Sequence, residues 1–216
     1  MRQAVTFVSL TLLSVTASAQ ALYERAKTWE FAINLVELGD FTATGERDSS
    51  IKVHDELGWG LGGAYNFTNH FAVDFGWSHA SPSYDATFRL ENTNQLTTIS
   101  YTMDIDNFLV KGTYYVLGGD LTPYISVGGG WSQVDSNVAD GPPTTGCWWD
   151  PWWGYICSNF YSTYETTKTS YIGSVGIRWD LSPSYSLRAD WGMLRINAGD
   201  AEPEPDVLRV GFSWRF

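Results

Sequence analysis

Apolar and polar residues alternate along eight segments of the chain, and this period of two is the pattern of a β-strand with one apolar face. The final segment, 208–216, is the clearest example. Its apolar face carries Leu208, Val210, Phe212, Trp214 and Phe216. Its other face is small or polar and includes two arginines. The other predicted strands are residues 29–38, 57–67, 71–80, 101–116, 123–132, 167–180 and 185–194.

The connections between these strands alternate in length. Three are tight turns, at residues 68–70, 117–122 and 181–184, and four are long polar segments, at residues 39–56, 81–100, 133–166 and 195–207. Short periplasmic turns and long outer loops are typical of a barrel in the outer membrane. An unpaired backbone amide costs several kcal/mol in hydrocarbon, so the first and last strands must pair. The pattern predicts an all-β fold, an eight-stranded antiparallel transmembrane β-barrel with short periplasmic turns and long extracellular loops.

The first residues have the pattern of an export signal. Arg2 precedes a short apolar run, and Ala17-Ser18-Ala19 forms a cleavage site. We predict a signal peptide at residues 1–19 and one outer-membrane β-barrel domain at residues 20–216, integral to the cell outer membrane. The 11 Trp and 12 Tyr residues suit two aromatic girdles at the membrane interfaces. The net charge of −11 argues against a nucleic-acid partner.

Three segments carry a resemblance to known proteins: residues 121–130, residues 173–180 with the Ser182-Pro183 turn, and the terminal strand. In these three segments the chain resembles the small eight-stranded outer-membrane barrels of the OmpA, OmpX and opacity-protein class. The resemblance implies contact with outer-membrane lipid and lipopolysaccharide and insertion by the barrel assembly machinery. The assembly signal it implies consists of Val210, Phe212, Trp214 and Phe216. We expect a monomer without a cofactor.

Charged side chains fall on the faces that we predict to point into the barrel. They are Glu30, Asp74, Lys111, Arg178, Arg188, Asp190, Arg209 and Arg215. Eight strands leave an interior just wide enough for side chains to fill, so we expect an ion-paired plug, in which Lys111 pairs with Asp74 or Asp190. A small passive porin for small solutes is the alternative. In the fourth predicted strand, Leu109 and Tyr115 fit either face.

The third loop contains both cysteines, Cys147 and Cys157, in a segment rich in tryptophan. Export places them in an oxidising compartment, which favours a disulfide, with free thiols as the alternative. The aromatic residues between them are Trp148, Trp149, Trp152, Trp153 and Tyr155. Rigid exposed aromatic area of this kind suits contact with an extracellular ligand or surface. Packing of the rings on the barrel rim is the other interpretation.

The sequence gives less support to a catalytic site or a metal site than to a structural barrel. His79 and Ser81 are two residues apart, superficially similar to a lipid A deacylase, but no carboxylate can be assigned to orient the imidazole. The three histidines are scattered, and no metal site is predicted. The acidic residues of the outer loops suit a solvated face. We therefore expect no enzyme, with a lipid-modifying enzyme as a remote alternative, and a structural or surface-interaction barrel as the function.

Overall fold

The computed structural model describes residues 24–44, 49–89, 95–139, 144–152, 154–160, 163–197 and 203–216. The predicted signal peptide at residues 1–19 and Trp153 lie outside these residues. Within them, no helix is long and apolar enough to cross a membrane. The chain forms fourteen described strands: β1 (Thr28–Leu38), β2 (Phe41–Thr44), β3 (Ser50–Val53), β4 (Glu56–Asn66), β5 (Phe71–Ala80), β6 (Ser83–Arg89), β7 (Leu96–Thr102), β8 (Asp104–Tyr115), β9 (Leu121–Ala139), β10 (Thr144–Asp150), β11 (Gly154–Phe160), β12 (Thr163–Asp180), β13 (Tyr185–Ile196) and β14 (Asp206–Arg215).

Eight of these strands close into an antiparallel barrel in the order β1-β14-β13-β12-β9-β8-β5-β4. The strand β1 pairs with β4 on one side and with β14 on the other. At the seam, the amide of Trp29 donates to the carbonyl of Phe216 at 3.0 Å, and the amide of Phe216 donates back at 2.9 Å. This reciprocal pair satisfies the backbone at both chain ends of the sheet. The eight predicted strands correspond to these eight barrel strands, which confirms the predicted fold class.

Side-chain hydroxyls hold two of the tight turns. Thr68 Oγ1 accepts hydrogen bonds from the amides of His70 at 3.1 Å and Phe71 at 2.9 Å, between β4 and β5. Ser182 Oγ accepts in the same way from the amides of Ser184 and Tyr185, between β12 and β13. Ser and Thr favour turns for this reason, since a hydroxyl replaces a backbone acceptor that the turn lacks. These turns define what we call the turn end of the barrel, and the opposite end is the loop end.

The structure adds strands to segments that the sequence predicted as polar loops. The strands β2, β3, β6 and β7 form a separate four-stranded sheet, which we call the loop sheet, and β10 and β11 form a two-stranded hairpin. The strand β9 also continues to Ala139, seven residues beyond its predicted end. The loop segments contain their own short alternations, in which Ile51 lies opposite Ala86 and Val53 opposite Tyr84. Threonines and serines dilute these alternations, which is why the apolar pattern alone missed them.

The outer face of the barrel is an apolar band. Large apolar residues on it are exposed, for example Val127 with 68% and Leu35 with 57% relative accessibility. Aromatic pairs flank the band at both ends. Trp29 and Tyr65 lie 4.9 Å apart between ring centroids near the turn end, and Trp59 and Trp77 lie 4.8 Å apart near the loop end. Such a band between aromatic girdles is typical of a barrel whose outer face contacts lipid.

Candidate functional site

The interior of the barrel near the turn end is built around Glu30 on β1. Its two carboxylate oxygens accept from both terminal nitrogens of Arg178, at 2.6 and 3.0 Å. Arg188 donates at 2.7 Å, Arg215 at 3.3 Å and Asn66 at 2.8 Å. Three arginines therefore share one carboxylate, and such charge-assisted bonds are the stronger class of hydrogen bond. The structure thus brings together four of the residues that the sequence placed on inward faces.

Asp180 is a second acceptor in the same layer, and the sequence interpretation did not include it. It accepts from Arg178 Nε at 2.9 Å and from Arg215, and Arg25 Nη1 lies 3.6 Å from its other oxygen. Arg25 also donates to the carbonyls of Leu117 and Gly119, at 3.1 and 3.3 Å. Asp180 follows Arg178 by two positions, so its inward face could have been predicted by extending the alternation. Arg25 precedes the first strand, and no periodicity places it.

Two inward tyrosines complete this layer. Arg25 lies over the ring of Tyr115, 4.8 Å from its centroid, and Arg178 donates to the Tyr115 hydroxyl at 3.1 Å. The ring of Tyr124 lies 5.8 Å from that of Tyr115. Cation–π contacts of this kind lower the cost of burying guanidinium groups side by side. The structure places Tyr115 and Leu109 on the inward face, which resolves the register that the sequence left open.

The remaining inward charges lie toward the middle of the barrel. Asp74 accepts from Arg188 at 2.6 Å and from the Thr113 hydroxyl. Asp190 accepts from the Tyr124 hydroxyl at 2.8 Å, and Arg209 approaches it to 4.0 Å. Lys111 lies opposite Asp74 on the neighbouring strand, yet among the described residues no ion pair joins its amine to a carboxylate. The expected pairing of Lys111 with Asp74 or Asp190 is therefore replaced by pairing with arginines.

The loop end of the interior is apolar, which the sequence interpretation did not predict. Inward side chains of the barrel strands pack there against the loop sheet and against Met103. They form one buried cluster of Val36, Leu38, Val53, Tyr84, Met103, Ile105, Leu109, Ile172, Leu194, Ile196 and Val207. Tyr84 donates to the carbonyl of Ser136 at 3.0 Å, and burial raises the pKa of its hydroxyl. Between this cluster and the charged layer lies a cavity of about 60 Å³.

The loop sheet carries a polar cluster on its surface. Asp85 accepts from the Ser100 hydroxyl at 2.5 Å and lies 3.0 Å from His54 Nε2. The hydrogen bond from Ser100, together with that from His54, holds the pKa of Asp85 below its ordinary range. Among the described residues, no group of three or more His, Cys, Asp or Glu side chains is arranged to hold a metal ion.

The third loop contains the hairpin of β10 and β11, closed by a disulfide between Cys147 and Cys157. The two cysteines lie directly opposite each other, and Trp149 lies opposite Tyr155 two positions further along. Trp149 and Tyr155 are 71% and 69% exposed, and Trp152 at the turn is 88% exposed. Trp148 lies opposite Ile156, and Trp153 is outside the described residues. One end of the hairpin therefore presents three large aromatic side chains to the surroundings.

The terminal strand places its apolar residues on the lipid-facing side. Val210, Trp214 and Phe216 are exposed there, and Phe212 packs between the rings of Trp214 and Tyr185. The four residues of the predicted assembly signal thus share one outward face. Whether the assembly machinery uses them stays a prediction.

Comparison with known proteins identifies the fold. A family model described as an outer membrane protein beta-barrel domain matches residues 7–216. The chain is similar to OprG from Pseudomonas aeruginosa, with a TM-score of 0.60 and 12% identity over 91% of this chain and 99% of that one. Neisserial surface protein A gives a TM-score of 0.53 and 10% identity over 87% of this chain and 97% of that one. Ail of Yersinia pestis, in complex with the heparin analogue sucrose octasulfate, gives a TM-score of 0.50 and 12% identity over 88% of this chain and 99% of that one. A comparison with curated proteins gives no match.

Proposed function

The chain belongs to the outer membrane protein β-barrel family, and on that premise we propose that it is a structural and surface-interaction barrel whose outer loops contact an extracellular ligand or surface. Its location is the outer membrane. Within this proposal the protein is exported with cleavage of residues 1–19, is inserted by the barrel assembly machinery, and functions as a monomer in contact with lipid and lipopolysaccharide.

The observation that carries the proposal is the aromatic end of the β10–β11 hairpin. Interface hot spots are enriched in Trp and Tyr, and an exposed apolar patch on a folded protein marks an interaction site. The disulfide closes the hairpin and limits the conformations of Trp149, Trp152 and Tyr155 before contact. Preorganisation of this kind increases affinity because less side-chain and loop entropy is lost on binding.

The negative charge of the loop end argues against one class of ligand. The loop end exposes Asp55, Glu56, Glu204 and Asp206, and the chain carries a net charge of −11. A sulfated sugar of the kind bound to Ail would meet like charge at this surface. We therefore expect a neutral or apolar contact surface rather than a sulfated one.

Alanine substitution of the three aromatic residues tests this function. We compare bacteria that display wild type, the triple variant Trp149→Ala/Trp152→Ala/Tyr155→Ala, or the control Tyr101→Ala at equal surface levels. Tyr101 is a 47% exposed aromatic residue of the loop sheet. Adhesion to polystyrene and to neutral-glycan surfaces is expected to fall at least tenfold for the triple variant, equivalent to about 1.4 kcal/mol, and to persist for the control. Equal adhesion of all three would contradict the proposal.

The disulfide provides a second test of the same surface. Intact mass with and without reductant reports whether the bridge forms in exported protein. We expect Cys147→Ser to leave insertion intact and to weaken adhesion. If the triple aromatic variant fails to insert, the rings act in rim packing instead of binding.

For the interior we propose a closed lumen. Support comes from the ionic layer around Glu30, the apolar cluster at the loop end, and the small cavity between them. Planar-bilayer recordings of the refolded protein are expected to show little or no steady current. A large, stable conductance would favour the passive porin instead.

A further inference from the structure

A polar cluster lies on the outer face of the barrel, at the loop end and away from the interior. His79 of β5 lies opposite Asp106 of β8 in the register of these strands. Asp106 Oδ1 is 3.1 Å from His79 Nδ1, and it also accepts from the indole nitrogen of Trp77 at 2.8 Å. The carboxylate is thus fixed by the indole and in turn orients the imidazole. The sequence alone could not assign this carboxylate, because Asp106 lies on a different strand, 27 residues away.

The other imidazole nitrogen of His79 faces a hydroxyl. Ser81 Oγ is 3.3 Å from His79 Nε2, and Ser81 is exposed. A carboxylate at Nδ1 and a hydroxyl at Nε2 is the connectivity by which histidine activates a serine nucleophile. Such nucleophile–base distances are often somewhat longer in the absence of substrate than in its presence. The three residues therefore have the geometry of a nucleophile, a general base and an orienting acid.

An apolar groove lies on the outer face directly below this cluster. Trp77 and Phe108 lie opposite each other, two positions along the strands from His79 and Asp106. With Trp131, Val110 and Phe75 they line a groove that continues toward Trp29 and Phe216 at the turn end. A groove on the lipid-facing wall is accessible to an acyl chain from the membrane. The cluster itself lies at the level of the loop-end aromatic girdle, where the ester groups of lipids meet water.

We propose that Ser81, His79 and Asp106 form a hydrolytic site for ester-linked acyl chains of membrane amphiphiles, with the acyl chain held in this groove. Ser81 Oγ attacks the ester carbonyl carbon while His79 Nε2 takes its proton. The tetrahedral intermediate collapses, the carbon–oxygen bond to the leaving alcohol breaks, and His79 returns the proton to that alcohol. Water, deprotonated by His79, then cleaves the acyl–serine ester and releases the fatty acid and free Ser81. This activity is separate from the surface contact proposed for the third loop.

Asp104 is a second acceptor for the Ser81 hydroxyl and competes with His79 for its proton. The Ser81 hydroxyl donates to Asp104 Oδ1 at 2.6 Å, and the hydroxyl carries only one proton. Rotation about its Cβ–Oγ bond directs that proton to either acceptor. In the proposed site, attack proceeds from the rotamer that faces His79, so Asp104 is dispensable. A site that used Asp104 as its base would need neither His79 nor Asp106.

The experiment measures ester release and active-site labelling on the refolded full barrel in micelles of a detergent without ester bonds. The substrates are p-nitrophenyl butyrate and p-nitrophenyl palmitate. A fluorophosphonate provides the label, since its phosphorus–fluorine bond breaks as Ser81 Oγ bonds to phosphorus, and peptide mass spectrometry locates it. Wild type is compared with Ser81→Ala, His79→Gln, Asp106→Asn and Asp104→Asn. The control is Ser83→Ala, an exposed serine two residues from Ser81.

We expect label on Ser81 and ester release by wild type, Ser83→Ala and Asp104→Asn. Ser81→Ala is expected to lose both, and His79→Gln and Asp106→Asn to lower kcat by about 10²- to 10⁴-fold. Wild type without label and without ester release above Ser81→Ala would overturn the proposal. So would label that persists in Ser81→Ala, or activity lost in Asp104→Asn and kept in Asp106→Asn. Gel migration of unheated samples shows that each variant is folded, and only folded variants are compared.

A groove variant separates the site from a surface esterase that does not use the lipid-facing wall. Val110 is 54% exposed on the floor of the groove. Val110→Trp is expected to raise KM for the palmitoyl ester at least tenfold and to raise KM for the butyryl ester much less, because the short chain occupies little of the groove. Equal effects on both esters would remove the groove from the proposal.

Discussion

Replacing Glu30 with Gln removes a charge that three arginines share, while it preserves the size of the side chain. Loss of one partner from a buried ion pair costs about 3–5 kcal/mol, because the remaining charge is left uncompensated. Here each arginine keeps another carboxylate. Asp180 still accepts from Arg178 and Arg215, and Asp74 still accepts from Arg188. We therefore expect a loss at the lower end of that range, about 3 kcal/mol.

Urea unfolding of the barrel in micelles, followed by tryptophan fluorescence, measures this loss. A change of about 3 kcal/mol corresponds to a more than 100-fold lower folding equilibrium constant. The matched control is Glu37→Gln, an exposed residue of the same strand, for which we expect a change within about 0.5 kcal/mol. If Glu30→Gln falls in the same range as this control, the three arginines do not depend on Glu30 and the reasoning is wrong.

Other residues allow further predictions. Lys111→Met is expected to change the unfolding free energy by less than about 1 kcal/mol, because a buried charge that forms no ion pair with a described carboxylate carries a desolvation cost that methionine does not; a loss similar to that of Glu30→Gln in the urea assay would reveal a partner. Deleting Phe216 is expected to lower the amount of heat-modifiable barrel in outer-membrane fractions, since its backbone closes the seam with Trp29, and normal yield would argue against this. Ser100→Ala is expected to raise the pKa of Asp85 toward its ordinary value, as measured by carboxyl NMR titration. Because the folded pKa is lowered, this pair stabilises the loop sheet above the unfolded pKa, and the stabilisation is lost as pH falls through the folded pKa.

The alternation of side chains predicted which residues face inward and outward, but not which of them meet. The alternation along each strand places Asp74, Lys111 and Arg188 inside the barrel. Their heights along its axis depend on how the tilted strands are staggered around the ring, and that stagger is not visible in one strand. Lys111 lies directly opposite Asp74 in the register of β5 and β8, yet Asp74 pairs at 2.6 Å with Arg188, which reaches it from β13 across the interior, and no pattern along a single strand contains that contact.

Two further features, the loop sheet and the contact of Asp106 with His79, could not be predicted from the sequence, for different reasons. The loop sheet arises from segments whose alternation is weak, and its apolar side chains are buried only because the inward residues of the barrel meet them at the loop end. Asp106 has an unremarkable position in its own strand. Its partnership with His79 exists only in the pairing of β5 with β8, which a pattern along one strand cannot contain.

The bonds of Glu30 have a consequence for the order of folding. Its three arginine partners are 148, 158 and 185 residues further along the chain. All of them lie on the last three strands, so the carboxylate has no arginine partner until those strands arrive. Contacts of such long range form late, since the chain loses much entropy before they can form. Completion of the ionic layer therefore coincides with closure of the ring, and a chain that lacks its final strands keeps Glu30 as an uncompensated charge in an open sheet.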